Sequence, residues 1–328
     1  MAPRFGTGSL RYEFVEGWER KPARMQHDDV SGISTDSHGN VYLLCRGAHP
    51  VMVYDRGGHF IDCWGEGKIS YMTAGIFTTA DDELLLVDDG RSSVTRYTTD
   101  GVKKQAIGPE GVASDSGFDG KNIDSITRAA PPYNRPSKAV TAPWGDIYVA
   151  DGEGNCRVHR FSASGELLGS WGSPGTGPGE FKCVHSVWAH ASGQIFVVDR
   201  QNDRIQIFTR EGAFLSQWTD VQRPHDIFID KNDIVYVCDS FYPKGSVSSR
   251  RGRISEDEPA RMSIFDIEGN LLLRWSDPDA LKPGYFHSPH GLWVDDEGSI
   301  YIANNAMAGA KARGEKPCSF GTQKFVRI

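Results

Sequence analysis

Residues 185–218 read HSVWAHASGQIFVVDRQNDRIQIFTREGAFLSQW. The stretch holds four short apolar runs, SVWAH, IFVVD, RIQIF and AFLSQW, punctuated by the Gly-containing turns ASGQ and TREG. Runs of this length, with tight turns and a closing tryptophan, describe a four-stranded antiparallel meander.

Working outward, the phrase recurs six times. Its second run appears as VYLLC (41–45), LLLVD (84–88), IYVAD (147–151), IFVVD (195–199), VYVCD (235–239) and IYIAN (300–304). Fourteen residues before the end of each run lie Ser31, Ala74, Ser137, His185, His225 and His290. The third run returns as VMVYD, VTRYT, RVHRF, RIQIF, RMSIF and KFVRI, and the fourth as HFIDCW, ELLGSW, AFLSQW and NLLLRW. Four strands per unit with a repeated aromatic are the signature of a β-propeller blade. The sixth unit stops after its third run at Ile328, and YEFVEGW (12–18) supplies the missing fourth. The expected fold is therefore all-β, a single six-bladed propeller over residues 1–328, closed by the N-terminal strand.

Composition agrees and narrows the function. With 37 glycines and no stretch of sustained 3.6-residue period, the 328 residues suit short strands and turns. A net charge of −7 argues against a nucleic-acid partner. The absence of an 18-residue apolar run argues against a membrane span. MAPRFGTGSLRYEFVEGW has no apolar signal-peptide core, and six cysteines without CxxC spacing read as reduced thiols. A cytoplasmic location is expected.

In a meander, second-to-third and fourth-to-first connections share one face. The long segments 108–135, 172–184, 240–260, 276–289 and 305–321 all fall there, and 244–260 is a candidate lid. The fourteen-residue frame places the six variable positions on the innermost strands at that face. The residues after each second run, Arg46, Asp89, Gly152, Arg200, Ser240 and Asn305, return to the same end. Three imidazoles in one register, His185, His225 and His290, suit a borderline divalent metal, zinc above all. A structural calcium is a further expected cation. Asp226 beside His225 is a candidate orienting group. Asp151, Asp199 and Asp239 read as strand-end caps. Arg46 and Arg200 are the expected anchors for a carboxylate-bearing small molecule, with Asn305 beside them.

On these residues the chain resembles the NHL-repeat propellers. More narrowly, PSKAVTAPWGDIYVADGEGNCRVHRFSASGELLGSWG, FKCVHSVWAHASGQIFVVDRQNDRIQIF and CRGAH (45–49) resemble the catalytic domain of peptidyl-α-hydroxyglycine α-amidating lyases. The repeat covers the whole chain and the lyase-like part about a third. That resemblance implies a metal held by three channel histidines and cleavage of a carbinolamide C–N bond to an amide and a glyoxylate-type aldehyde. It implies His185 as ligand, His290 or His225 as the last-blade ligand, and Arg46 and Arg200 as active-site arginines. Two positions depart from the pattern. Ala74 stands where the family has a second-blade ligand, and Glu153 where it has a catalytic tyrosine. Glu153, or a metal-bound water, is then the expected proton acceptor, and peptide amidation is not the expected reaction.

The expected function is a metal-dependent lyase on a small carboxylate-bearing substrate, cleaving a C–N or C–O bond. The alternatives are a calcium-dependent lactonase-type hydrolase, for which Asn304 and Asn305 are the in-frame asparagines, and a non-catalytic interaction propeller.

Overall fold

The computed structural model describes residues 2–25, 27–317 and 321–328. It contains six antiparallel blades. The six aligned second strands have the bounds set by the frame: Val41–Cys45, Leu84–Asp88, Ile147–Asp151, Ile195–Asp199, Val235–Asp239 and Ile300–Asn304. Within each blade the inner strands are the buried ones. Ile195–Asp199 is buried along its whole length, while the outermost strand of the same blade, Phe214–Trp218, is largely exposed. A strand covered on both faces reads as a continuous apolar run, and an edge strand alternates or turns polar.

The chain divides into two compact units. One comprises Met72–Pro224 and Val247–Gly252 and contains the second, third and fourth blades; the other comprises the remaining residues. In this other unit, the last blade is completed by the N-terminus. Leu10–Phe14 pairs antiparallel with Thr322–Arg327, and Arg4–Thr7 adds a fifth strand. The closing strand thus spans 10–14 rather than 12–18. Trp18 lies past its end, yet still performs the task of the tryptophans that end the other fourth strands. Its ring packs 5.8 Å from Tyr54 and 5.5 Å from Tyr301, and its Nε1 donates to Arg56 O at 3.0 Å. The corresponding Trp171 and Trp218 pack on Phe208 and Phe196.

The first strand of a blade carries one recurrent irregularity. In the five ladders Val30–Thr35, Thr73–Thr78, Pro136–Thr141, Val184–Ala189 and Pro289–Val294, the register slips at the second residue. Those residues are Ser31, Ala74, Ser137, His185 and His290. A β-bulge leaves one residue without a cross-strand partner and re-aims its side chain. The fourteen-residue frame therefore marks a bulge.

The acids that end three of the second strands are scaffold. Asp199 accepts from Lys182 N, Asn202 Nδ2 and Arg204 Nε at 2.8, 2.8 and 2.7 Å. Asp151 accepts from Asn134 N, Asn155 Nδ2 and His159 Nε2, and Asp239 from Arg261. Each ties neighbouring backbone or the next strand to its own strand end.

The long connections are built. Ala306–Arg313 forms an eight-residue helix that no sustained 3.6-residue period announces. The tip of the candidate lid, Val247–Gly252, is tied to Asp203 by Ser248 and Arg251, and Arg250 donates to Thr219 O at 2.9 Å. The five described cysteines are free, and Cys318 lies outside the described residues. Among the described residues no helix is long and apolar enough to cross a membrane.

Candidate metal and carboxylate-binding site

His185 occupies the bulge of Val184–Ala189 and is buried. Its Nε2 lies 3.6 Å from Glu153 Oε1. The same oxygen accepts from Arg200 Nη1 at 2.8 Å and from the Cys183 thiol at 3.7 Å. Burial pushes the Cys183 thiol well above its usual range. It is therefore neutral, and the Glu153 carboxyl is the acidic group that faces the guanidinium. Burial alone would disfavour the Arg200 cation, but the negative side of its surroundings outweighs burial and raises its pKa.

Two backbone features hold this cluster. Cys183 adopts φ +69°, a left-handed conformation uncommon for a residue with a Cβ, and its carbonyl accepts from Arg200 N at 3.0 Å. Gly152, the residue after the strand, leaves no room for a side chain, since a Cβ there would lie 2.1 Å from Val184 N. Gly152→Ala is expected to push the two backbones apart and cost about 1–3 kcal/mol, read as a lowered Tm. An unchanged Tm would contradict this close approach.

A second arginine is not visible in the sequence. Arg135, also left-handed at φ +58°, forks Asp89 with Nε at 2.6 Å and Nη2 at 2.8 Å. Asp89, one of the in-frame positions, is thus held by Arg135. The hydrogen bond to Asp89, and the negative charge behind it, raise the Arg135 pKa further. Arg135 lies outside the frame because it ends the insertion before Pro136–Thr141, so only its αL geometry marks it.

In the other unit, His225 and His290 are buried with their rings stacked, centroids 5.1 Å apart and planes at 30°. His290 Nδ1 lies 2.7 Å from Ser31 O. A carbonyl only accepts, so Nδ1 carries the proton and Nε2 keeps its lone pair. The Asp226 carboxylate accepts from Ile227 N at 3.0 Å and Leu292 N at 2.9 Å, and so braces two strands. Arg46 is half-buried, and its backbone is fixed by Asp28 N and Asp29 O. Asp29 in turn accepts from Met307 N at 2.8 Å, at the start of the helix. Asn305, just before that helix, is buried with its Oδ1 lacking a hydrogen-bond partner among the described residues. Asn304 has its Oδ1 engaged by Ser288 N.

The three register histidines are all buried. His225 and His290 meet within one unit, and His185 occupies the equivalent register position in the other. Ala74 and Ser137 occupy the equivalent bulges and offer no ligand. Ser137 Oγ instead donates to Val184 O at 2.9 Å.

No family model matches the chain. NHL repeat-containing protein 3 of Homo sapiens is 26% identical over 230 residues, covering 66% of this chain and 62% of that protein. Peptidylglycine alpha-amidating monooxygenase of Rattus norvegicus is 23% identical over 308 residues, covering 84% of this chain and 29% of that protein. Peptidyl-alpha-hydroxyglycine alpha-amidating lyase 1 of Drosophila melanogaster is 27% identical over 170 residues, covering 47% and 28%. The chain thus spans about three-fifths of the first relative and under a third of the other two. Among solved structures, a streptogramin B lyase superposes with a TM-score of 0.60 at 12% identity, covering 98% of this chain and 99% of that one. The chain is a six-bladed β-propeller whose homologues include NHL-repeat proteins and peptidyl-α-hydroxyglycine amidating lyases.

Proposed function

We propose that this propeller is a metal-dependent lyase that cleaves a C–N or C–O bond next to a carboxylate in a small substrate. The observation that carries the reading is a buried histidine at one register position of the repeat in three blades, His185, His225 and His290, of which His225 and His290 stack on each other. The donor type fits zinc: imidazole nitrogen is a zinc ligand, and His290 has its second nitrogen committed to Ser31 O, which fixes its tautomer. When bound, such a metal supplies a Lewis acid for a substrate oxygen. The names of the amidating relatives support the reaction class.

The chain's own residues do the rest. Arg200 rests against Glu153. An arriving substrate carboxylate takes the place of that carboxylate on the guanidinium. Glu153, released beside His185, becomes the base. It removes the proton of the substrate hydroxyl, the C–O bond gains double-bond character, and the C–N bond breaks with its electron pair on nitrogen. A proton then returns to that nitrogen. The products are an amide and an α-oxo acid, and atoms balance without a co-reactant.

An N-acyl-α-hydroxyglycine is the test substrate, with released glyoxylate as the readout. Glu153→Gln keeps an oxygen for Arg200 and removes the base, so kcat should fall by about 10²-fold with KM little changed. A variant with full kcat would remove Glu153 from the reaction. Purified protein with no bound metal and no affinity for added zinc would sink the whole reading.

A further inference from the structure

The first blade carries a second group of metal-competent side chains, wholly within one unit: His49, Cys63 and Glu66. Each sits on a separately closed piece of backbone. His49 lies in the loop between Val41–Cys45 and Val51–Tyr54, which Cys45 N closes onto Pro50 O at 2.7 Å. Cys63 lies on the outermost strand Phe60–Trp64. Glu66 stands between Gly65 and Gly67, both at positive φ, in a turn closed by Lys68 N and Ile69 N onto Gly65 O at 3.0 Å.

The donor atoms already converge. His49 Nδ1 is 2.9 Å from Glu66 Oε1 and 3.8 Å from Cys63 Sγ, and all three donor atoms lie within 4.8 Å of one another. A tetrahedral zinc with bonds of about 2.0–2.3 Å sets its nitrogen and oxygen ligands about 3.3 Å apart, and its nitrogen and sulfur ligands about 3.6 Å apart. Each observed separation differs from these by less than about half an ångström. The cluster is open on one side, with the His49 side chain 25% and the Glu66 side chain 46% exposed. That leaves a place for water as fourth ligand. Without a metal, burial and the neighbouring carboxylate push the Cys63 thiol up to about 11.

The geometry points to a divalent-metal site of zinc-selecting character at His49, Cys63 and Glu66, separate from the three histidines. Thiolate, imidazole and carboxylate together suit zinc and disfavour calcium or magnesium, which take oxygen ligands. Its role is structural. The metal staples the 46–50 loop to the outermost strand of the blade, and Arg46 is the third residue before His49. The inference stands whether or not the lyase reading holds.

Cobalt titration of the metal-stripped full chain tests it, because only a sulfur ligand gives the near-ultraviolet thiolate-to-cobalt charge-transfer band. The expected result is such a band that saturates with about one equivalent of cobalt and that zinc abolishes, since zinc binds N/S sites more tightly. Cys63→Ser and Glu66→Gln each sit at or beyond the blade's outer edge. The first should eliminate the band, the second should weaken cobalt binding at least about tenfold, and both should keep Tm in the presence of chelator. A titration without the charge-transfer band, or a band that survives Cys63→Ser, overturns the site. Cobalt bound with only the ligand-field bands of a histidine site overturns this inference while leaving the lyase reading intact. The reverse pattern, a thiolate band with no histidine-site cobalt, sinks the lyase reading alone.

Discussion

On the proposed lyase reading, His290→Ala protein should lose one equivalent of bound zinc and should turn over an N-acyl-α-hydroxyglycine about 10³-fold more slowly. Several kcal/mol of Lewis-acid stabilisation vanish with the metal, and each factor of ten in rate corresponds to about 1.4 kcal/mol. The structural cost is smaller. His290 occupies a bulge, so no ladder hydrogen bond depends on its side chain. The variant loses the bond to Ser31 O and the stack on His225, about 1–2 kcal/mol together. His185→Ala and His225→Ala should behave alike in metal content. Elemental analysis with a parallel melting curve checks the result. Zinc content equal to the parent protein in all three variants would remove these residues as ligands.

The second large effect concerns stability. Asp199→Ala should destabilise the fold by about 3–5 kcal/mol, because it strands a buried charge. Arg204 has a side chain only 5% exposed and donates to Asp199, Thr176 O, Gly177 O, Glu180 O and Gln217 Oε1. Removing Asp199 also leaves Lys182 N and Asn202 Nδ2 short of an acceptor. Denaturant unfolding gives the measurement, and a loss under about 1 kcal/mol would mean that Arg204 is adequately held by the carbonyls alone. The double variant Asp199→Ala/Arg204→Met should recover part of the loss, since it removes the stranded charge.

What is legible in the sequence is what repeats. A strand buried on both faces must be apolar, and six copies of it set the frame and with it the three histidines. The N-terminal strand is legible from the incomplete last blade, although the aromatic Trp18 draws its expected boundary too far along the chain. Residues outside the repeat are not legible. Arg135 and Cys183 act through left-handed backbone that no composition signals. Glu153 is reached only through resemblance, and the structure sets it against Arg200 and His185. The bracing task of Asp226 is hidden as well, because adjacency to His225 says nothing about the strand of another blade whose Leu292 N it accepts from. His49, Cys63 and Glu66 escape for a related reason. They come from two loops and a strand edge of one blade, and no short spacing motif joins them.

A side chain that is not a rung of its ladder can be exchanged without breaking the ladder. Ser31, Ala74, Ser137, His185 and His290 put a hydroxyl, a methyl group and an imidazole on one recurrent backbone geometry. The bulge position is in that sense a dial set one blade at a time. Changing what one blade presents there is a single substitution with little penalty to folding, and the architecture stays still.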